Sequence, residues 1–366
     1  MGDIRQVMQG LKPALLMLMV QISYASLNVF YKLATNNGMS VKVLTAYRLI
    51  FATATTIPIA IIFERKNRPK LTWRVVFMSF FCGLFGATLF QNLFFESLAL
   101  ISATFVSAVF NLTPAVTFIL AVCFGFERLN LETAAGKTKV LGTIICIGGA
   151  MILTFLKGVE INIWTFHINL LHEGKSGTMH VHSGSKILGI FLGLASSFSF
   201  ALWLIIQAKM SKEYQGHYSS TSLMSLMGAI QSTGFALCAE KDWSQWRLGW
   251  NIRLLTALYS GIVASGIMVI AIAWCVERRG PLYCSVFNPL MLVLVAIAGS
   301  MMLNEKLYLG SVIGAVLVIV GLYLVLWGKS KEMKKGTHPE IKEIEVVVTS
   351  TTLDHDNITT TTKTHQ

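Results

Sequence analysis

Polar side chains able to hold a solute occur in this chain inside long apolar runs, and one pattern occurs twice. Val109-Phe110-Asn111 recurs as Val286-Phe287-Asn288, with Pro114 three residues after the first Asn and Pro289 directly after the second. An amide both donates and accepts hydrogen bonds, so it can meet a zwitterion or other polar solute, and it is cheaper to bury than a charge. Proline removes a backbone hydrogen bond and bends the helix. The carbonyls this frees, with Asn111, Thr113 and Asn288, can line a cavity or satisfy a packing kink. At 1.5 Å per residue, Asn111 lies about 15 Å into its run and Asn288 about 10–12 Å into its own, from opposite sides. At that depth the Asn111-Leu112-Thr113 sequon is beyond glycosylation.

Further amides occupy apolar runs: Gln21, Asn28, Gln91, Asn92, Gln207 and Gln231. Each suits a solute site or an interhelical hydrogen bond. Trp203 and Trp274 suit cavity walls or interface anchors. Arg48 is the cation clearly inside an apolar run. An intramembrane charge marks a functional site by default; here it would hold a substrate carboxylate, with snorkelling or pairing to Glu96 as the competing role. Deep Asp, Glu and His are scarce, which favours facilitated or weakly coupled transport over a proton-driven pump. His180-Val181-His182 lies in a polar stretch with no carboxylate or Cys cluster to complete a metal site. The six cysteines sit in or beside apolar runs without ligand spacing, as small packing residues. Gly136-Lys137-Thr138 lacks the earlier glycine of a phosphate loop, because Leu131 stands there. No nucleophile–His–acid arrangement stands out. No cofactor, no metal and no enzymatic activity are expected.

The elements that position these groups follow from composition. The 366 residues are 54% hydrophobic and 13% charged, against about 25% charged in soluble domains. The expected fold class is an all-α polytopic membrane protein, with the lipid bilayer as its solvent. Ten runs reach the roughly 20 residues a span requires: 13–32, 43–62, 75–96, 101–123, 138–156, 187–207, 219–239, 253–275, 282–303 and 309–327. The first contains Gln21 and lacks a cleavage site, so it stays as helix 1 rather than leaving as a signal peptide. The net charge of +12 is spread between the runs, which excludes a nucleic-acid face. With the N-terminus inside, twenty Lys and Arg fall on inside segments and nine outside, predicting cytosolic termini. Lys139 is assigned to one of those inside segments. Residues 157–186 read as an extracytosolic loop and 328–366, charged and then Thr-rich, as a disordered tail.

The halves resemble each other beyond the Asn motif. Glu127-Arg128-Leu129 recurs as Glu305-Lys306-Leu307, the interval from Ser102 to Glu127 equals that from Gly280 to Glu305, and Gly142 and Gly149 recur as Gly314 and Gly321. Two repeats, 13–156 and 187–327, thus hold five helices each. An odd count inverts the second repeat relative to the first, and inverted repeats build carriers that rock about a midplane site. An inert duplicated bundle is the competing reading.

The run from Pro13 to Arg48, with Gly83-Leu84-Phe85-Gly86, Gln91-Asn92-Leu93, Ser102-Ala103-Thr104-Phe105, Asn111-Leu112-Thr113-Pro114, Gln207-Ala208, Gly280-Pro281, Val286-Phe287-Asn288-Pro289 and Glu305-Lys306-Leu307, resembles plant walls-are-thin-related proteins. These are also called UMAMIT transporters, of the drug/metabolite transporter superfamily with EamA domains. The resemblance covers about 10–330. It implies a two-repeat carrier of amino acids, often bidirectional, with some members linked to auxin, at the plasma membrane or the vacuole. A nucleotide-sugar or organic-phosphate antiporter would want more cavity cations than Arg48. A membrane scaffold or receptor is the alternative from a different class. Oligomeric state and substrate identity are not legible.

Overall fold

Apolar composition and length make nine helices able to cross a bilayer among the described residues. We number these spans 1 to 8 and 10: Leu11–Thr35, Val41–Phe63, Trp73–Leu100, Val106–Cys123, Ala134–Phe155, Ile187–Glu213, His217–Ala239, Ile252–Arg279 and Leu309–Glu332. A shorter apolar helix, Pro281–Val295, takes the ninth position. The protein is described here from a computed structural model covering residues 2–65, 71–101, 103–127, 132–156, 160–161, 183–214, 216–302 and 307–332. A two-residue antiparallel pairing, Glu160–Ile161 with Leu307–Tyr308, is the only strand structure among them. The expected loop at 157–186 otherwise lies almost wholly outside these residues, as do Glu305 and the tail beyond Glu332. The last helix continues through Gly328 to Glu332. Lys329 and Glu332 have partners there, as described below, which extends the helix past its apolar stretch.

The fourth and ninth runs are not continuous helices. Helix Ala103–Phe110 stops, Asn111-Leu112 form a turn, and Thr113–Cys123 begins with Pro114 in its first turn. Helix Pro281–Val286 stops at Phe287, and Asn288–Met302 follows. Proline is tolerated in a first turn, where its missing N–H has no intrahelical partner anyway. Each Asn/Pro motif therefore starts a new helix in mid-membrane. Discontinuous helices at this depth are a hallmark of carrier sites.

Spans 3 and 8, equivalent in the two repeats, each carry a π-helical stretch: Leu84–Leu89 and Tyr259–Ile267. Such bulges occur often at functional sites. Their packing is reciprocal. The stretch in span 3 abuts span 7, and that in span 8 abuts span 2. Spans 2 and 7 in turn pack along each other.

The recurring glycines explain how spans 5 and 10 join. A β-carbon on Gly142 would stand 2.7 Å from the Gly321 carbonyl oxygen, and one on Gly149 would stand 2.9 Å from that of Gly314. The spans run antiparallel, so Gly142 meets the counterpart of Gly149, and Gly149 meets the counterpart of Gly142. Small residues let backbones approach where no hydrophobic force drives association. The two halves thus meet on a two-fold-like seam of spans 5 and 10.

Lys139 corrects the sequence reading. Assigned there to a cytosolic segment, it is 1% exposed within span 5. Its Nζ lies 3.1 Å from Glu127 Oε2 and 2.7 Å from Glu332 Oε2, and Lys329 pairs with the other oxygen of Glu127. A buried cation is tolerable only when paired in this way. The cluster ties the end of span 4 and the start of span 5 to the end of span 10. It lies on the face where span 1 begins and span 10 ends, called here the terminal face.

Candidate functional site

A cavity of about 190 Å³ sits inside the bundle. Its walls come from spans 1, 2, 3, 6, 7 and 8, from Phe110 at the break in span 4, and from Asn288 and Met291 at the break in the ninth helix. Tyr31, Phe94 and Phe95 lie within about two turns of span ends on the face opposite the termini, whereas Cys82 and Val269 lie mid-span. The cavity therefore runs from the middle of the bundle toward that opposite face.

One side of it carries polar groups. Arg48, in the second turn of span 2, is half-buried and donates from Nε to the hydroxyl of Ser265. Ser265 projects from the π-helical stretch of span 8. No described carboxylate stands within ion-pair distance of Arg48, Glu96 included. The guanidinium has five donors and spends one on Ser265, so it presents an unneutralised charge to the cavity. Asn288 Nδ2 and the Tyr31 hydroxyl, both lining, are buried without a protein partner among the described residues. Gln91 is fixed by the Thr45 hydroxyl at 3.0 Å. Asn28 donates to the Tyr24 carbonyl at 2.8 Å. Gln21 completes this side. Groups that donate into a cavity, with no anion of their own, suit a carboxylate or another oxygen-rich head group.

The other side is aromatic. Phe94, Phe110, Phe200 and Trp203 form a chain of edge-on contacts with centroids 5.8, 5.7 and 5.2 Å apart, and Phe90 packs on Phe200 at 5.2 Å. Tyr31 stacks on Phe95 at 5.9 Å. These spacings fall in the favourable range for aromatic pairs, which makes the wall stiff. Trp203 closes the cavity at its mid-membrane end. Its indole Nε1 donates to Met224 Sδ at 3.2 Å, and a β-carbon on Gly86 would stand 2.4 Å from its ring. Glycine at position 86, in the π-helical stretch of span 3, is what admits the ring.

Of the residues singled out in the sequence, Gln21, Asn28, Arg48, Gln91, Trp203 and Asn288 stand on the cavity wall. Asn92 turns back to its own helix at the Thr88 carbonyl, 2.7 Å away. Asn111 reaches Thr154 at 3.5 Å, and Thr113 donates to the Phe110 carbonyl. Gln231 donates to the Phe80 carbonyl at 3.1 Å, and Trp274 lies under the Arg278 guanidinium. Gln207 is fully buried one turn past Trp203, with Cys82 donating to its oxygen. Pro114 and Pro289 mark the two helix breaks. Sequence reasoning passed over Tyr24, Tyr31, Ser225, Ser265 and the phenylalanines. Phe110 was within reach, because it belongs to the repeated Val-Phe-Asn motif; Ser265 had no such signal.

Comparisons with known proteins agree with this architecture. The EamA-like transporter family matches residues 11–155 and again 187–327, one match per repeat. Two WAT1-related proteins of Arabidopsis thaliana are 46% and 42% identical to this chain. They cover 87% and 95% of it and match over 90% and 98% of their own lengths. A solved crystal structure, 14% identical, superposes with a TM-score of 0.66 over 86% of this chain and 96% of its own, a likeness of fold alone. This chain belongs to the EamA-like transporter family, as a plant WAT1-related membrane transporter of the drug/metabolite transporter superfamily.

Proposed function

We propose that this transporter carries amino acids and related small carboxylates, binding them in the cavity at Arg48 and alternating access between its two inverted repeats. The observation that carries the reading is the charge balance of the site. Arg48 faces the cavity without a carboxylate, beside the unpartnered donors of Asn288 and Tyr31. A substrate carboxylate supplies the missing anion and accepts from those donors, while amide oxygens such as those of Gln21 and Asn28 meet its polar remainder. The resemblance to amino-acid carriers of the same family points the same way.

The aromatic wall favours a second cargo within this class, carboxylates with a flat ring such as auxin. A nucleotide sugar or organic phosphate fits less well, because Arg48 is the one Lys or Arg among the described lining residues and a diphosphate calls for several. A non-transporting scaffold or receptor has no use for an unneutralised cavity cation, which is costly to keep in a membrane. The Lys/Arg bias of its loops supports cytosolic termini, and the resemblance to plant walls-are-thin-related proteins supports the plasma membrane, with the vacuolar membrane as the alternative. Transport is facilitative or weakly coupled.

Flux of labelled amino acids, auxin and nucleotide sugars into vesicles holding the purified protein tests this. Flux of one or more amino acids above protein-free vesicles is expected. No flux of any amino acid or of auxin refutes the reading.

A further inference from the structure

The cavity stops at Trp203 and Met224, yet a carrier needs a way out to the terminal face. Buried side chains beneath that floor show an unusual lack of partners. Serine and threonine in membrane helices commonly bond the carbonyl one turn back, and Ser23, Thr45, Thr53, Thr56, Ser79, Thr117 and Thr143 do so here. Ser211 and Thr221 do not. The two belong to stripes that descend from the cavity one turn at a time. On span 6, Trp203 lines the cavity and is followed at four-residue steps by Gln207 and Ser211. On span 7, Ser225 lines it and is followed downward by Thr221 and His217. Gln207 Nε2, Ser211 Oγ, Thr221 Oγ1 and His217 Nδ1 are all buried without a partner among the described residues. Residues four apart share a helix face, so each stripe is one continuous polar strip leading from the floor to the terminal face.

Leaving four buried polar atoms unpaired is costly, and no other described region does this outside the cavity except at Arg253 and Ser219. The side-chain contacts beside these strips are weak ones that involve sulfur. The Ser79 hydroxyl, which donates to the Val75 carbonyl, stands 3.4 Å from Met210 Sδ; Cys82 donates to Gln207 at 3.9 Å and Trp203 to Met224 at 3.2 Å. Spans 3 and 8 pack against both spans 6 and 7. At the bottom stands a latch: His217 pairs with Glu277 at the end of span 8, and Glu64 at the end of span 2 accepts from the backbone N–H groups of Tyr218 and Ser219 at 2.9 Å each.

We propose that the stripes Gln207–Ser211 and Thr221–His217 are the walls of the solute's route to the terminal face, collapsed in this conformation and held shut by the His217–Glu277 and Glu64 contacts. The route takes water and small polar or zwitterionic solutes, whose hydrogen bonds satisfy the orphaned atoms when it opens. The proposal rests on the transport reading above but is read out separately from it.

The test is thiol labelling of full-length Ser211→Cys and Thr221→Cys proteins in vesicles with a charged methanethiosulfonate, located by peptide mass so that native cysteines are counted apart. Ala208→Cys, equally buried but off the stripe, is the control. Near-isosteric changes at 211 and 221 keep the fold, and Glu277→Gln keeps the shape of the latch while removing the charge that holds it shut. Opening the latch should raise labelling at 211 and 221 by about tenfold, as a loss of about 1.4 kcal/mol from the closed state would give, with Ala208→Cys unchanged. Labelling at 211 and 221 no faster than at 208, in both the parent and the Glu277→Gln background, overturns the route. Flux in the same vesicles separates the two claims: intact flux with flat labelling sinks the route alone, and faster labelling upholds the route whether or not any amino acid moves.

Discussion

Arg48 and Lys139 are both cations held within spans of this transporter, and the protein treats them oppositely. Lys139 is 1% exposed and has two carboxylates within 3.1 Å, Glu127 and Glu332. Arg48 is half-buried, holds one serine, and has no carboxylate among the described residues. Paired burial is a fastening: each charge answers another and the helices they sit on are tied together. Unpaired exposure to a cavity is what the proposed anion site requires. What separates a structural charge from a site charge here is the partner it is given, and depth in the membrane has little to do with it.

The sharpest way to break that comparison is to remove the fastening. Lys139→Ala leaves Glu127 and Glu332 facing each other with only Lys329 between them. Breaking one partner of a buried pair costs about 3–5 kcal/mol, so the thermal midpoint in detergent should fall steeply and yield with it. A midpoint within a degree or two of the parent would mean the cluster is not a fastening. Next is the seam the fastening reinforces. Gly149→Leu drives a side chain into Leu317 and the Gly314 carbonyl, and overpacking of this kind costs about 1–3 kcal/mol. A matching loss of thermal stability, without a change in which solutes are carried, is expected; a change in solute preference would place the seam in the site. On the site's side of the comparison, Asn288→Ala removes one cavity donor. At about 1 kcal/mol per hydrogen bond the Kd for a carried amino acid should rise several-fold while the midpoint stays put. An unchanged Kd would take Asn288 out of binding.

The smallest effect lies outside the membrane. Asp242, in the loop between spans 7 and 8, has its pKa lowered by the side-chain and then the backbone hydrogen bond of Ser244. A carboxyl lowered on folding contributes order that is full above its unfolded pKa of about 3.9 and fades as pH falls through its folded value. The protection factor of the Ser244 amide, its exchange relative to an unstructured chain at the same pH, should therefore fall on acidification in that acid range and stay flat near neutrality. A change near neutral pH would point to another group.

Apolar runs and repeated motifs made the helix number and the two-repeat plan legible, because span length and self-similarity are properties of the chain itself. The glycine recurrence was legible only as a mark of the repeat; the structure shows it as a seam, pairing Gly142 with Gly321 and Gly149 with Gly314. Which amide faces the cavity was not legible. Gln91 and Asn92 are neighbours in sequence but about 100° apart around a helix, and only the first stands on the wall. In soluble proteins an apolar stripe reveals the inner face. In a membrane span both faces are apolar, so the rotation is hidden. The same ambiguity hid the aromatic wall, since a phenylalanine turned inward reads like one turned to lipid. Lys139 was misplaced because a positive residue near a span end reads as a loop charge, and its partner Glu332 is 193 residues away in sequence.

The central claim is that Arg48 is the anion-holding group of the solute site. The direct measurement is flux, by purified Arg48→Gln protein in vesicles, of an amino acid the parent carries. Hydrogen bonds to a charged group contribute about 1.5–3 kcal/mol, so the account predicts a loss of roughly tenfold or more in flux at low solute, with the thermal midpoint unchanged. Undiminished flux in Arg48→Gln would contradict it.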